Sequence, residues 1–342
     1  MSTDWRMVLY DYANRYNETF FQGSAEPASG WIRDVQHLEQ EARLLNQAAY
    51  ARKVRGISPV RSETRARIVR VLNMRPDQVT ADLSFDTKYT YKQYHDELQE
   101  ERSVDERITL QLIDGSWRIV KIEPLAAERH PDQTASDMHL APEQQGPASG
   151  IPRPLLNTHV LYGAAPGEVQ GISRKTPYNR QRAKEYADRY WNSPNSNFQH
   201  FDVDCTNYVS QCLLAGGAPM NYTGRRDSGW WYQGRKAGRE WWSYSWAVAN
   251  ALQHYLATSR SGLRAELVHS PYELDLGDVI FYDWDGDGSF QHSTIVTGFD
   301  LAGEPLVNAH TVNSRARLWS YRDSPAWSER TRYRFFHIAD FF

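Results

Sequence analysis

The segment AspValAspCysThrAsnTyrValSerGlnCys, 202 to 212, sets a cysteine at the start of a stretch whose apolar residues recur at helical spacing. At a helix N-terminus the backbone amides and the helix dipole favour a thiolate over a thiol, and the thiolate is the nucleophilic form. Cys205 is therefore the candidate nucleophile. Cys212 falls two turns later beside Leu213 and Leu214, where a small buried hydrophobe is expected. On one helix the two sulfurs' residues would stand roughly 10 Å apart, beyond the ~7 Å reach of a disulfide.

A cysteine nucleophile needs a base. PheGlnHisSerThrIleValThrGly, 290 to 298, places His292 immediately before an apolar strand, where an imidazole can face a helix N-terminus packed on the same sheet. Asn308 and His310 lie two apart on the following strand and share one face, so either can hold the ring in a productive tautomer. Asp204, just before the nucleophile, reads as a helix N-cap or a site residue, with capping preferred. Asp283, Asp285 and Asp287 alternate before Gly288 like the opening of a calcium loop, but Thr294 stands where the bidentate Glu belongs. That string is read as an Asp and Gly turn that aims His292, with a bound cation as the weaker alternative. No cofactor is implied.

These residues need a frame. Helical periodicity runs from about Asp4 to Arg52, interrupted by the Gly and Pro cluster at 23 to 30. Alternation then marks strands at 67 to 72, 79 to 85, 107 to 113 and 117 to 122, with AspGlySer at 114 to 116 as a hairpin turn. Two helices followed by a meander predict a small α+β domain over 1–125, in a pattern like the nuclear-transport-factor-like folds. From 126 to 175 periodicity fades among prolines, which suggests a linker or strap. A second domain, 176–342, opens with helices at about 179 to 191 and 205 to 215, the latter stopped by Gly216 and Gly217. Strands follow at 278 to 283, 293 to 299, 305 to 310 and 332 to 338. The fold class is α+β.

Composition narrows the function. Of 342 residues, 39 are Lys or Arg and 42 Asp or Glu, interspersed, which offers no basic footprint for nucleic acid. No apolar run approaches the roughly 20 residues of a membrane span, and the first residues lack signal-peptide order, so the chain as written reads as cytoplasmic. A secreted or cell-wall location is expected instead if a leader has been removed. The 12 Trp, 20 Tyr and 12 Phe make 13%, and many lie between Trp230 and Trp246. Trp230, Trp231 and Trp246 are expected either to pack a core or to line a substrate cleft.

The strings AspCysThrAsnTyrValSerGln (204 to 211), GlyTrpTrpTyr (229 to 232), GlyAspValIlePheTyrAspTrpAspGlyAspGly (277 to 288), GlnHisSerThrIleValThr (291 to 297) and AsnAlaHisThr (308 to 311) resemble, in order, the bacterial putative amidase domain family. That family belongs with the papain-like cysteine hydrolases of the CHAP and NlpC kind. The resemblance covers about Pro177 to Asp340. It implies a papain-like domain in which N-terminal helices pack on an antiparallel sheet, with Cys205 as nucleophile, His292 as base and His310, or alternatively Asn308, as the orienting residue. Gln199, six residues before the cysteine, has the spacing of the papain oxyanion glutamine, although the intervening residues differ. The implied activity is amide hydrolysis on cell-wall peptide or a related peptide. The alternatives are a catalytically silent peptide- or glycan-binding module and an acyl transferase using the same cysteine.

Overall fold

A computed structural model describes residues 4–22, 30–128, 176–236 and 239–342. The chain is mixed α/β, with antiparallel strand pairing and few helices. It divides into two compact units, Met1–Arg129 with Val296–Thr331, and His130–Ile295 with Arg332–Phe342. Residues 296–331 therefore cluster with the N-terminal part of the chain. Of the expected linker, residues 129–175 lie outside the described residues.

In the first unit, helix α1 (Trp5–Gln22) carries Trp5, Val8, Leu9, Tyr12 and Ala13 at the spacing of one helix face, and all five are buried. They meet Val79, Ala81, Leu83 and Phe85, alternate residues of β2, together with Ile108, Leu110 and Ile119. Helix α2 (Val35–Arg55) begins at Asp34, whose side chain accepts from the His37 amide, and ends at Gly56 with φ +64°. Strands β1 (Ile57–Arg75), β2 (Gln78–Gln93), β3 (Asp96–Ile113) and β4 (Ser116–Pro124) form the expected meander. At its last turn Asp114 and Gly115 both have positive φ, the two-residue hairpin geometry that Asp-Gly favours.

Strands β1 to β3 run well past the apolar alternation. The polar first half of β3 gains its place from β11 (Asn313–Leu318), which pairs Asn313, Ser314 and Arg315 with Ser103, Arg102 and Glu101. Strand β10 (Pro305–Ala309) pairs with β11 in turn.

In the second unit, β8 (Val279–Asp283) is the central strand. It pairs with the start of β9 (His292–Phe299) on one side and with β12 (Arg332–Ile338) on the other, and β12 pairs with β7 (Ala265–Val268). Helices α3 (Arg180–Tyr190), α4 (Cys205–Ala215) and α6 (Ala249–Thr258) share a core with these strands through Ala183, Val209, Leu213, Leu252, Val279, Phe281 and Ile295. A short helix, α5 (Tyr244–Ala247), and a hairpin of β5 (Tyr232–Lys236) and β6 (Arg239–Trp242) complete the unit. The hairpin, α5, α6, β7 and β11 lie beyond the sequence expectation. Among the described residues no helix is long and apolar enough to cross a membrane.

Candidate active site

Helix α4 is buried around its whole circumference from Cys205 to Leu213. A helix so enclosed must satisfy each polar side chain internally, and this one does. The Asn207 amide donates to the Gln199 carbonyl and to Asp204 Oδ1, both at 2.8 Å, while Asn207 Oδ1 accepts from Trp246 Nε1 at 2.8 Å. Ser210 accepts from Trp230 Nε1 at 3.0 Å and Gln211 from the Tyr186 hydroxyl at 2.8 Å. The helix stops in a Schellman arrangement, with Gly217 at φ +100° and the Ala218 amide bonded back to Leu213 O.

These bonds fix Cys205 at the first turn, 2% exposed. His292 opens β9 opposite Tyr282 of β8, with its ring stacked on Trp284 at 5.9 Å between centroids and tilted over Tyr282 at 5.3 Å. Burial pushes the Cys205 thiol up, but the charge and hydrogen bond of His292, a backbone hydrogen bond from Ser293 and the Thr206 hydroxyl outweigh it, and the thiol lies below its ordinary range. A thiol drawn below its ordinary range favours the thiolate, the form of sulfur that can act as a nucleophile. Cys212 is the contrast: wholly buried among apolar side chains, its thiol is driven well above the ordinary value.

Gln199 stands in the loop before α4, pinned by its backbone: its amide donates to the Tyr232 hydroxyl at 2.8 Å and its carbonyl accepts from Asn207. Asp204 occupies the N-cap position, yet its side chain makes no capping bond. Its Oδ1 accepts from the Phe201 amide at 3.1 Å and from Asn207, and Oδ2 lies 3.6 Å from His200 Nδ1. The expected cap is thus a clamp on the loop before the helix.

Trp230, Trp231 and Trp246 are each 0% exposed, and every indole N–H is bonded within the protein. They pack the core and present no stacking face, which corrects their assignment to a substrate cleft. Asp283 is also buried. Its Oδ1 accepts from the Gly286 and Asp287 amides at 2.7 and 3.2 Å, and Oδ2 accepts from Gly288 at 2.8 Å. Those bonds fold the loop that carries Asp285 and Asp287, which supports the turn reading of this string.

The remaining two candidates belong to the first unit. Asn308, on β10, is fully buried, and its Oδ1 accepts from Thr297 Oγ1 and from the Ala316 amide, both at 2.8 Å. His310 is 4% exposed and precedes Thr311, whose φ of +84° is a strained conformation for a β-branched residue. Sequence reasoning passed over Thr206 and Ser293, whose hydroxyls join across the site, and Trp284, which backs His292. The two hydroxyl residues directly follow Cys205 and His292, and that adjacency was the available signal.

Residues 177–336 match the family described as Putative amidase domain. The uncharacterized protein YhbB of Bacillus subtilis is 36% identical over 339 residues, covering 98% of this chain and 96% of that protein. A second uncharacterized Bacillus subtilis protein, YjcM, is 32% identical over 131 residues, covering 35% of this chain and 28% of its own length. Among solved structures, the intermembrane space region of chloroplast protein ARC6 aligns with 36% of this chain and 98% of its own. At 10% identity and a TM-score of 0.24, that likeness carries no argument.

Proposed function

The chain belongs to the family of the Bacillus subtilis protein YhbB and bears a match to a putative amidase domain, and from that premise we propose that it is a papain-like, cysteine-dependent hydrolase of amide bonds. The observation that carries the reading is the Cys205 thiol, held below its ordinary range against strong burial by His292. Structural cysteines in apolar surroundings shift the other way, as Cys212 does.

In this mechanism the Cys205 thiolate attacks the carbonyl carbon of the scissile amide, and the imidazolium of His292 gives its proton to the departing amine. The products of that half are a free amine and a thioester. Neutral His292 then takes a proton from water, whose oxygen attacks the thioester, and the thiol is restored as the acid leaves. The backbone amide of Cys205 supplies one oxyanion donor, and we assign the second to the side chain of Gln199. His310 is proposed to orient the imidazole. The Asn308 oxygen is already committed to Thr297 and Ala316, which favours His310 over it.

The proposed substrate is a cell-wall peptide or a related peptide. The N-terminal residues 1–125 carry no evident nucleophile and base pair, and we propose that they position or restrict that substrate. A muropeptide digest read by mass spectrometry tests the proposal: wild-type and Cys212→Ala protein should release an amine and a carboxylate, and Cys205→Ala should release neither. Undiminished cleavage by a folded Cys205→Ala protein would overturn it.

A further inference from the structure

Beside the loop that leads into Cys205 lies a cation that has, among the described residues, no carboxylate of its own. Arg226 is half-buried, with its guanidinium over the Trp242 ring at 4.6 Å and near the Trp241 ring at 5.6 Å. Its position is fixed at both ends. The Arg226 carbonyl accepts from the Tyr244 amide at 2.7 Å, and Nη2 donates to the Glu240 carbonyl at 2.9 Å.

The nearby acids are otherwise engaged. Asp227 is gripped by the fork of the neighbouring Arg225 at 3.0 and 2.6 Å, and Glu240 Oε2 accepts from the Tyr232 hydroxyl at 2.7 Å. Burial accordingly lowers the pKa of Arg226, whereas Arg225, with its acid partner, moves up. Stacking on an indole costs a guanidinium none of its in-plane donors, and a planar fork of N–H groups matches a carboxylate with two parallel bonds. A half-buried guanidinium left without an anion gains most from one that a ligand brings.

The setting puts that anion near the chemistry. Trp242 packs edge-on against Phe201 at 5.1 Å, and the Phe201 amide donates to Asp204, the residue before the nucleophile. In the same hairpin the pairing sets Arg235 opposite Glu240. An anionic substrate is favoured on this side by the Arg226 fork.

We propose that Arg226, laid over Trp241 and Trp242, anchors a free carboxylate of the substrate beside the Cys205 loop, so that this hydrolase acts on acidic peptides in preference to neutral ones. The inference deepens the hydrolase reading and rests on it for the word substrate; the anion site itself stands on Arg226 and its surroundings.

The test uses soluble muropeptides with a free glutamyl carboxylate and the same muropeptides with that group amidated. Wild-type protein should prefer the acid form by about tenfold or more in kcat/KM, the scale of a charge-assisted pair. Arg226→Gln should collapse that preference through KM, with Arg226→Lys in between. Equal use of both forms by the wild type, or an acid preference that survives Arg226→Gln, would overturn the proposal, as would an equal loss on both forms. A failure of the hydrolase reading is told apart by binding. With Cys205→Ala protein, tryptophan fluorescence titration should show tighter binding of the acid form, and added Arg226→Gln should abolish the difference. If neither form is cleaved but this difference is present, the anion site stands and the hydrolase reading falls; if the two forms bind alike, the anion site falls.

Discussion

Thr206 Oγ1 and Ser293 Oγ lie 3.0 Å apart, both fully buried, and join the residue after Cys205 to the residue after His292. One hydrogen bond thereby sets the start of α4 against the start of β9. Thr206 Oγ1 also lies 3.7 Å from the Cys205 sulfur and helps to hold the thiol down. Thr206→Val keeps the shape and removes the hydroxyl, which leaves Ser293 short of a partner. The expected cost is about 1–3 kcal/mol of stability, read by thermal unfolding, with a fall in turnover; Thr206→Ser should restore both. Unchanged turnover in Thr206→Val would show that the bond does not position the pair.

The thiol of Cys205 is low because of His292 and in spite of burial, so removing the imidazole should reverse the direction of the shift. In wild-type protein the pH profile of alkylation by iodoacetamide should inflect below the ~8.5 of a free cysteine. In His292→Ala the desolvation remains while its principal opponent is gone, and the inflection should move above that value. Both profiles follow from labelling rates measured by mass spectrometry. An inflection that stays in place would mean that His292 does not act on this sulfur.

Asp283 satisfies three loop amides with two oxygens, and that loop carries Trp284 against the His292 ring. Asp283→Ala should strip those amides of their acceptor and cost about 2–4 kcal/mol, on a scale of 1–3 kcal/mol for each buried group left unsatisfied with partial relief from water. Turnover should fall with it, because Trp284 no longer backs the His292 ring. EDTA should leave wild-type turnover unchanged, since the carboxylate is spent on backbone. Inhibition by chelator with recovery on added calcium would reverse this account.

The two elements that carry Cys205 and His292 were legible because each has a local signature. A cysteine at a helix start and a histidine at a strand start are visible in eleven-residue windows, and the helix and strand form where those windows place them. Burial was not legible in the same way. Trp230 and Trp246 read alike as core or cleft, and only the Ser210 and Asn207 acceptors across the helix decide between the two. Asp204 looked like a cap because type and position agree with one, whereas the loop from Phe201 competes for the same oxygen. The length of β3 was hidden for a different reason. Residues 96 to 106 have no apolar alternation, and their strand is imposed by β2 and β11 on either side.

Glu106 offers a test in the first unit, far in sequence from Cys205 and His292. Burial raises its carboxyl from 4.5 to about 7, against the pull of the Tyr16 and Tyr12 hydroxyls, which donate to it at 2.9 Å each. The sign follows from the direction of the shift. A carboxyl that binds its proton more tightly when folded lends stability fully below pH 4.5, and that contribution is lost as pH rises through about 7. The amount, on the order of 3 kcal/mol from about 1.4 per pH unit, is an upper scale for a single buried group. Glu106→Gln stays neutral at every pH and still accepts from a tyrosine hydroxyl. Relative to wild type it should be little changed at pH 5 and clearly more stable at pH 8, as measured by paired thermal melts in matched buffers. Wild-type and variant melts that run parallel from pH 5 to pH 8 would show that Glu106 is ionised in the fold throughout, and that its two tyrosines outweigh its burial.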